Sequence, residues 1–132
     1  MIVDTSALIA VFKAEEGYEK VVRVLASSTP KSMSAGSLIE TLTVVIRRFG
    51  SQHVGRVLAI VDEARIDVLP VEQRDAHFSA AAYARYGKGM GHPAQLNFGD
   101  TFAYALAKRT GEPLLCVGED FPQTDLSLVP LP

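Results

Sequence analysis

The sequence predicts an α/β fold in which a central, mostly parallel β-sheet is flanked by α-helices on both faces. Three observations support this class. Short apolar segments alternate along the chain with longer segments whose apolar residues repeat at the spacing of a helix face. The strand-like segments at 1–3 and 114–117 are apolar throughout, as strands buried on both faces are. Apolar residues make up 48% of the 132 residues and charged residues 21%, a composition that supports a packed core and excludes disorder.

The first half of the chain predicts two strands and three helices. Asp-Thr-Ser at positions 4 to 6 favours a helix start directly after a short apolar strand, since all three residues are good N-caps. A valine-rich amphipathic segment stops before Pro30, and a later helix stops at Gly50. In chain order, the predicted elements are a strand at residues 1–3, a helix at 7–12, a helix at 17–27, a strand at 32–35 and a helix at 38–49.

The second half predicts three more helices and two strands. The segment 87–93 contains three glycines and a proline, which mark a flexible loop, and Gly111 ends the last helix. The apolar run Leu-Leu-Cys-Val is typical of a buried strand. In chain order, the predicted elements are a helix at residues 52–65, a strand at 66–70, a helix at 74–86, a helix at 100–109 and a strand at 114–117.

The length and charge of the chain restrict the classes of function. We expect one domain over residues 1–132, with a core that needs no disulfide or structural zinc. No apolar run approaches the roughly 20 residues of a membrane-spanning helix, and the single cysteine, Cys116, is expected in the core. A soluble, cytoplasmic protein is the expectation. The net charge of −2 gives no global positive field, so any affinity for nucleic acid must be local.

Four acidic residues are candidates for a functional site: Asp4, Glu40, Asp100 and Asp120. Ligands of parallel α/β sheets bind beyond the carboxyl ends of the strands, and both Asp4 and Asp120 follow predicted strands. Glu40 lies in an apolar stretch, where an unpaired charge is costly unless it faces a partner or a metal ion. The four acids are far apart in sequence, so they form a site only if the fold gathers them.

Each acid also has a purely structural interpretation. Asp4 and Asp100 suit the N-caps of the first and last helices, where the helix dipole favours negative charge. Ser37 and Glu40 match a capping box, a role that disappears if the helix begins three residues earlier. Asp120 fits an ordinary turn. Taken singly, none of these acids therefore indicates a site.

Taken together, the acids predict a metal site. Converging carboxylates repel one another, and oxygen ligands select Mg²⁺, with Mn²⁺ as a substitute, over zinc. A bound metal ion activates water, neutralises phosphoryl oxygens and lets an acidic pocket accept phosphate, which indicates hydrolysis of nucleic acid. Other motifs do not fit. Ser6 stands where a haloacid-dehalogenase-type phosphatase needs a second Asp, and no P-loop, dinucleotide-binding or zinc spacing is present.

Four segments together resemble the PIN-domain ribonucleases, and among them the VapC toxins. They are Met-Ile-Val-Asp-Thr-Ser-Ala-Leu at 1–8, Ser-Leu-Ile-Glu at 37–40, Asn-Phe-Gly-Asp-Thr-Phe-Ala-Tyr-Ala-Leu-Ala at 97–107 and Gly-Glu-Asp-Phe at 118–121. The resemblance covers essentially the whole chain in order. It implies a PIN-like fold and a Mg²⁺-dependent endoribonuclease toxin that cuts structured RNA, commonly tRNA or rRNA, and is neutralised by a VapB-type antitoxin.

The resemblance also implies which acids form the site. Asp4, Glu40 and Asp100 match the three central acids of the family. Asp120 matches a fourth, more variable acid, for which Asp125 is a neighbouring alternative. All four would serve both as metal ligands and in catalysis.

Further expectations concern the surroundings of the acids. Thr5 or Ser6 is expected to orient Asp4 or a metal-bound water, or else to cap the first helix. VapC-like toxins form homodimers, with the antitoxin tail across the active-site groove. There, an inserted Arg or Lys would mimic the charge of the metal ion. Phe49 and Tyr86 contribute to an interface if they are exposed.

Basic residues are candidates for RNA contact, with solvated surface charge as the alternative. Arg47 and Arg48, which are adjacent on one predicted helix, equally suit a dimer or antitoxin surface. The candidates are Arg47, Arg48, Arg85, Lys88, His92, Lys108 and Arg109. Two rival functions stay open on sequence alone: a catalytically silent PIN-like module that binds RNA or protein, and a DNA-directed nuclease of the same fold.

Overall fold

The strands of the computed structural model, which describes residues 1–132, form a single sheet. β1 is Ile2–Val3, β2 is Lys31–Ser34, β3 is Ile66–Leu69 and β4 is Leu114–Leu115. Their order across the sheet is β3-β2-β1-β4, and every pairing is parallel. The predicted parallel sheet is therefore confirmed, with two strands that are shorter than the apolar runs around them.

Six helices make the crossovers and cover the sheet. Parallel strands cannot be joined by a tight hairpin, so each connection contains at least one helix. The helices are α1 (Thr5–Lys13), α2 (Tyr18–Leu25), α3 (Ala35–Phe49), α4 (Val54–Glu63), α5 (Gln73–Tyr86) and α6 (Asp100–Thr110), with 3₁₀ turns at Ser51–His53 and Phe121–Gln123. None of these helices has the length and apolar character needed to cross a membrane.

The core lies on both faces of the sheet, because successive strand residues point to opposite sides. Ile2 and Leu114 are buried in a cluster with side chains of α5 and α6. Val3 and Leu115 are buried in a second cluster with side chains of α1, α2 and α4. β1 and β4, which are covered on both faces, are apolar throughout. β2 is not: its buried Lys31 donates through Nζ to the carbonyls of Ser27 and Thr29.

The helix starts and ends follow their capping residues. Asp4 caps α1, as predicted, and Ser34 caps α3, its hydroxyl accepting a backbone N–H at 3.1 Å. The capping box predicted from Ser37 and Glu40 is therefore wrong, because the true cap lies three residues earlier and Glu40 falls beyond the first turn. Gly111, with a φ of 71°, ends α6 as predicted.

Two sequence expectations are met only in part. β4 ends at Leu115 rather than at residue 117, because its partner β1 turns into α1 at Asp4 and leaves Cys116 without a strand neighbour. A contribution of Phe49 and Tyr86 to an interface is conditional on their exposure, and Tyr86 does not meet this condition, whereas Phe49 is 37% exposed. The Tyr86 side chain is fully buried, with its ring centroid 6.0 Å from that of Tyr104 in the core.

Candidate active site

The candidate site lies at the carboxyl edge of the sheet, where β1 passes into α1. Asp4 follows β1 directly and is 2% exposed. Its Oδ2 accepts hydrogen bonds from the backbone N–H of Ser6 at 2.9 Å and from Ser6 Oγ at 2.6 Å. Its Oδ1 is buried and has no hydrogen-bond partner. The cap role of Asp4 therefore uses only one of its two carboxylate oxygens.

Ser6 ties this cap to the segment that follows β4. Its Oγ donates to Asp4 and accepts from the backbone N–H of Val117 at 2.9 Å. The Ser6 hydroxyl thus links the start of α1 to the segment between β4 and Asp120. Of the two hydroxyl residues predicted to orient Asp4, Ser6 makes the contact. The Thr5 hydroxyl donates instead to the carbonyl of Ser37 at 3.0 Å.

Glu40 projects from α3 into the vicinity of Asp4. The hydroxyl of Thr41 lies 2.8 Å from the Ser37 carbonyl and 3.1 Å from the Thr5 hydroxyl, so buried hydrogen bonds hold α3 against α1. Burial raises the pKa of Glu40, the Thr5 hydroxyl opposes that rise, and the charge of Asp4 adds to it. The charge of Asp4, which caps α1, therefore acts on an acid of α3.

Asp100 stands at the start of α6 and is held by Asn97. The Asn97 backbone N–H donates to Asp100 Oδ2, and the Asp100 backbone N–H donates to Asn97 Oδ1, each at 2.9 Å. This reciprocal pair is the pattern of a capping box in which Asn97 is the capping residue. The prediction of Asp100 as an N-cap is therefore wrong. The Asp100 side chain is the second member of this capping box, three residues after Asn97.

Asp100 lies in the electrostatic field of the other three acids. Burial is the main cause that raises the pKa of Asp100 to about 7, against the hydrogen bond from Asn97. The charges of the other three acids contribute to the same rise: Asp4, Glu40 and Asp120. Burial also raises the pKa of Asp4, with a smaller contribution from the charge of Asp120. Asp4, Glu40 and Asp100 thus each lie in the field of at least one other acid.

Asp120, and not Asp125, is the C-terminal acid that acts on this group. The charge of Asp120 raises the pKa of Asp100. Asp125 pairs instead with the Lys108 ammonium at 2.6 Å and accepts the hydroxyl of Tyr104 at 2.7 Å. Partial burial favours a higher pKa for Asp125, but the contacts with Lys108 and Tyr104 outweigh it and lower that pKa.

The donor set fits a hard divalent cation. All four side chains offer carboxylate oxygens, which Mg²⁺ and Mn²⁺ prefer. A cation would satisfy the unpartnered Oδ1 of Asp4 and offset the repulsion that raises the pKa of Asp100. No three His, Cys, Asp or Glu side chains approach closely enough to form a complete ligand set. Mg²⁺ is a cation that usually keeps several waters and takes one or two carboxylates.

Cys116 borders the acids. It is half-buried directly after β4 and packs against the α5 and α6 side of the core, so its predicted core position holds in part. Burial, together with the charges of Asp4 and Asp100, raises the pKa of its thiol to about 12. A neutral thiol is a poor nucleophile, so the chemistry of the site rests on the carboxylates.

Three of the seven basic candidates are engaged within the fold. Arg109 is 9% exposed and its Nε donates to Asp75 at 2.6 Å, so it is not available for RNA, contrary to the prediction. Lys108 pairs with Asp125, and His92 Nδ1 accepts a backbone N–H at 3.0 Å. The other four candidates are exposed: Arg47, Arg48, Arg85 and Lys88.

Two residues that shape the site, Asn97 and Gly99, are absent from the sequence predictions. Asn97 has a local signal, because Asn-x-x-Asp is a capping-box spacing. Gly99 has none. A Cβ at this position would fall on the carboxylate of Glu40, a contact between residues far apart in sequence that only the fold reveals.

Polar side chains gathered at the carboxyl edge of an open parallel sheet are typical of α/β enzymes. The chain matches the PIN domain family over residues 1–126. It is 43% identical over 126 residues to Ribonuclease VapC42 of Mycobacterium tuberculosis, an alignment that covers 96% of each chain. The chain therefore belongs to the PIN-domain family and, within it, to the VapC ribonucleases, the toxins of VapBC toxin-antitoxin systems.

Solved structures share this fold. The crystal structure of Mycobacterium tuberculosis VapC20, a toxin that cleaves the sarcin-ricin loop, is similar with a TM-score of 0.79 at 23% identity, over 99% of this chain and 98% of that one. VapBC2 of Rickettsia felis, bound to a DNA fragment from its promoter, has a TM-score of 0.72 at 14% identity, over 97% and 96% of the two chains. The predicted PIN-like α/β fold is confirmed.

Proposed function

We propose that this chain is a Mg²⁺-dependent endoribonuclease that hydrolyses phosphodiester bonds in structured RNA, with tRNA or rRNA as substrate. One observation supports it above others: Asp100 lies in the field of the other three acids, and a buried oxygen of Asp4 has no hydrogen-bond donor. An unsatisfied buried acceptor among like charges costs free energy, which a bound cation would recover. Membership of the VapC ribonucleases favours RNA as the polymer that is cut.

The proposed roles follow from how each acid is held. Asp4 and Asp100 would bind the metal ion, directly or through water, and Glu40 and Asp120 would complete the acidic site. When bound, Mg²⁺ supplies a water of lowered pKa and neutralises charge on the phosphoryl group. Ser6 fixes Asp4, and a capping box fixes Asp100, so both carboxylates need little reorganisation during the reaction. No side chain serves as the nucleophile.

RNA cleavage with and without metal tests this function. The purified, antitoxin-free chain is incubated with total tRNA and rRNA in Mg²⁺, in EDTA, and in EDTA followed by excess Mg²⁺. We expect cleavage in the first and third incubations only. Parallel DNA substrates identify a DNA-directed nuclease. If folded protein cleaves no RNA in any incubation, the proposal is overturned in favour of a catalytically silent binding module.

The VapB-type antitoxin is proposed to dock in an apolar groove between α1, α2 and α4. The groove has a volume of about 360 Å³. Its shape and apolar lining suit the apolar face of an amphipathic helix. An antitoxin Arg or Lys placed among the acids would then neutralise the toxin by satisfying their charge. The groove is lined by Val11, Val22, Leu25, Ala26, Ile60 and Ala64, with Arg56 and Glu63.

A homodimer is proposed to form through the face where α3 meets the start of α6. Ile39 and Phe98 are 66% and 75% exposed there, and with Val71 they border a cavity of about 470 Å³. Large exposed apolar side chains next to one another are typical of interfaces. Light scattering should give the mass of a dimer for the wild type and of a monomer for Phe98→Glu. A monomeric wild type would contradict this assembly.

A further inference from the structure

Gly99 stands directly before Asp100 in a conformation that does not require glycine. Its φ is −62° and its ψ is −36°, which are ordinary values for a right-handed helix. Residues with a Cβ adopt such angles freely, and alanine in a helical turn is more favourable than glycine. The backbone at position 99 therefore does not explain the glycine.

What the missing side chain provides is space for a carboxylate. Gly99 is buried, and a Cβ built on it would fall on the end of the Glu40 side chain. The three atoms nearest to that position are Oε2, Cδ and Oε1 of Glu40. The Glu40 carboxylate thus rests against the α-carbon of the residue that precedes Asp100.

Another glycine, Gly36, accommodates an apolar group and not a carboxylate. Gly36 of α3 accommodates the aromatic ring of Phe102 of α6, so this contact is apolar packing. The group accommodated at Gly99 is instead a charged member of the acidic site. A methyl group at Gly99 would have to displace only the end of a flexible side chain, which the fold can tolerate.

We propose that Gly99 is a positioning residue that places the Glu40 carboxylate beside Asp100 and thereby sets the affinity of the site for its metal ion. This inference rests on the proposed function, in which both acids belong to the metal site. Alanine at position 99 would force Glu40 into another rotamer and move its carboxylate away from Asp100. The backbone of α6 would keep its course.

Four variants test this role. Gly99→Ala fills the space, and Gly55→Ala is its matched control, because Gly55 is an exposed glycine inside α4 with no atom within 4 Å of an added Cβ. Both substitutions add the same methyl group to a helical turn. Glu40→Ala removes the displaced carboxylate, and the double variant combines it with Gly99→Ala. For each, the Mn²⁺ dissociation constant is measured by electron paramagnetic resonance and the Tm in EDTA.

We expect Gly99→Ala to weaken Mn²⁺ binding roughly tenfold, the effect of disturbing a group that orients a metal ligand. Its Tm should equal or exceed that of the wild type. Gly55→Ala should bind Mn²⁺ like the wild type. In the Glu40→Ala background, the additional Gly99→Ala substitution should leave the Mn²⁺ dissociation constant unchanged, because no carboxylate remains to be displaced.

Two results would overturn the role of Gly99: wild-type Mn²⁺ affinity in Gly99→Ala, or an equal loss of affinity in the presence and absence of Glu40. A fall in Tm that Glu40→Ala does not relieve would also contradict it, because it would show a structural role. These outcomes differ from failure of the proposed function, in which the wild type itself neither binds Mn²⁺ nor cleaves RNA.

Discussion

At the scale of single residues, Asp4 and Asp100 each serve the fold with one carboxylate oxygen. Oδ2 of Asp4 caps α1, and Oδ2 of Asp100 accepts the Asn97 backbone N–H in the capping box of α6. A helix start favours negative charge, and a metal site at the same place needs it. The local sequence therefore predicts a structural role and a metal-binding role equally well, because one carboxylate can perform both.

The raised pKa of Asp100 predicts how the metal-free protein responds to pH. This pKa is about 7 in the folded chain, against 3.8 for an ordinary Asp, so the folded state binds more protons between these values. The contribution of Asp100 to the free energy of unfolding therefore decreases as pH rises from about 4 to about 7. Asp100→Asn removes this titration. We expect the variant to be more stable than the wild type near pH 8 by roughly 1 to 2 kcal/mol, after allowance for solvent screening.

Urea unfolding in EDTA, near pH 5 and near pH 8, measures this difference. Asp125→Asn is the matched control. Its carboxyl has a lowered pKa and stays ionised throughout this range, so the substitution should leave the pH dependence unchanged. Equal losses of stability in the wild type and Asp100→Asn would show that Asp100 is not held with a raised pKa.

At the scale of elements, Arg109 fastens the last turns of α6 to the start of α5. Its Nε donates to Asp75 Oδ1 at 2.6 Å, and both side chains are nearly buried. Asp75 also accepts the backbone N–H of Glu72 at 2.9 Å as part of the capping box of α5. Removing Arg109 would leave the Asp75 carboxylate buried without its cation. We expect Arg109→Ala to lower the free energy of unfolding by roughly 3 kcal/mol.

Urea denaturation of Arg109→Ala beside Arg48→Ala checks this structural role. Arg48 is an exposed arginine near the end of α3, so its loss should change stability by less than about 0.5 kcal/mol. If both variants are equally stable, Arg109 does not join the two helices, and a role in RNA binding becomes open again.

The types of the elements could be predicted from periodicity, but some of their limits depend on neighbours in space. The apolar run through Val117 predicts a longer β4, yet the strand stops at Leu115 because β1 beside it turns into α1 at Asp4. Similarly, Ser34 and Ser37 are equally good caps in sequence. In the structure Ser34 makes the cap hydrogen bond, accepting the Gly36 backbone N–H, and residue 37 lies inside α3.

At the scale of the whole molecule, the strand order brings the acids together. β1 and β4 are neighbours, so the residues that follow them, Asp4 and Asp120, reach the same edge. The four acids could be named from sequence, largely through the resemblance to the PIN-domain ribonucleases. The choice between Asp120 and Asp125 could not be made from sequence, because both residues follow β4. Asp125 instead forms an ion pair with Lys108 and a hydrogen bond with Tyr104.

The proposed antitoxin groove makes a prediction at this same scale. Val22 is 39% exposed on α2 and lines the groove, whereas Val68 is 40% exposed on β3 outside it. A buried, unpaired carboxylate is costly at an interface, so Val22→Glu should weaken binding of the cognate antitoxin roughly 30-fold or more. Val68→Glu should bind normally.

Co-expression with a tagged antitoxin, followed by titration of the purified partners, measures both variants. Each should still cleave RNA when antitoxin is absent, because neither is one of the four acids. Undiminished antitoxin binding by Val22→Glu would place the antitoxin on another surface of the toxin.

The most direct test of the account is the rate at which Asp100→Asn cleaves RNA in Mg²⁺, measured beside the wild type and Asp125→Asn. The amide preserves the shape of the side chain but removes a charge from the metal site. We predict that Asp100→Asn folds and loses at least about 100-fold in cleavage rate, while Asp125→Asn cleaves like the wild type. Cleavage by Asp100→Asn at the wild-type rate would contradict the assignment of the acidic site.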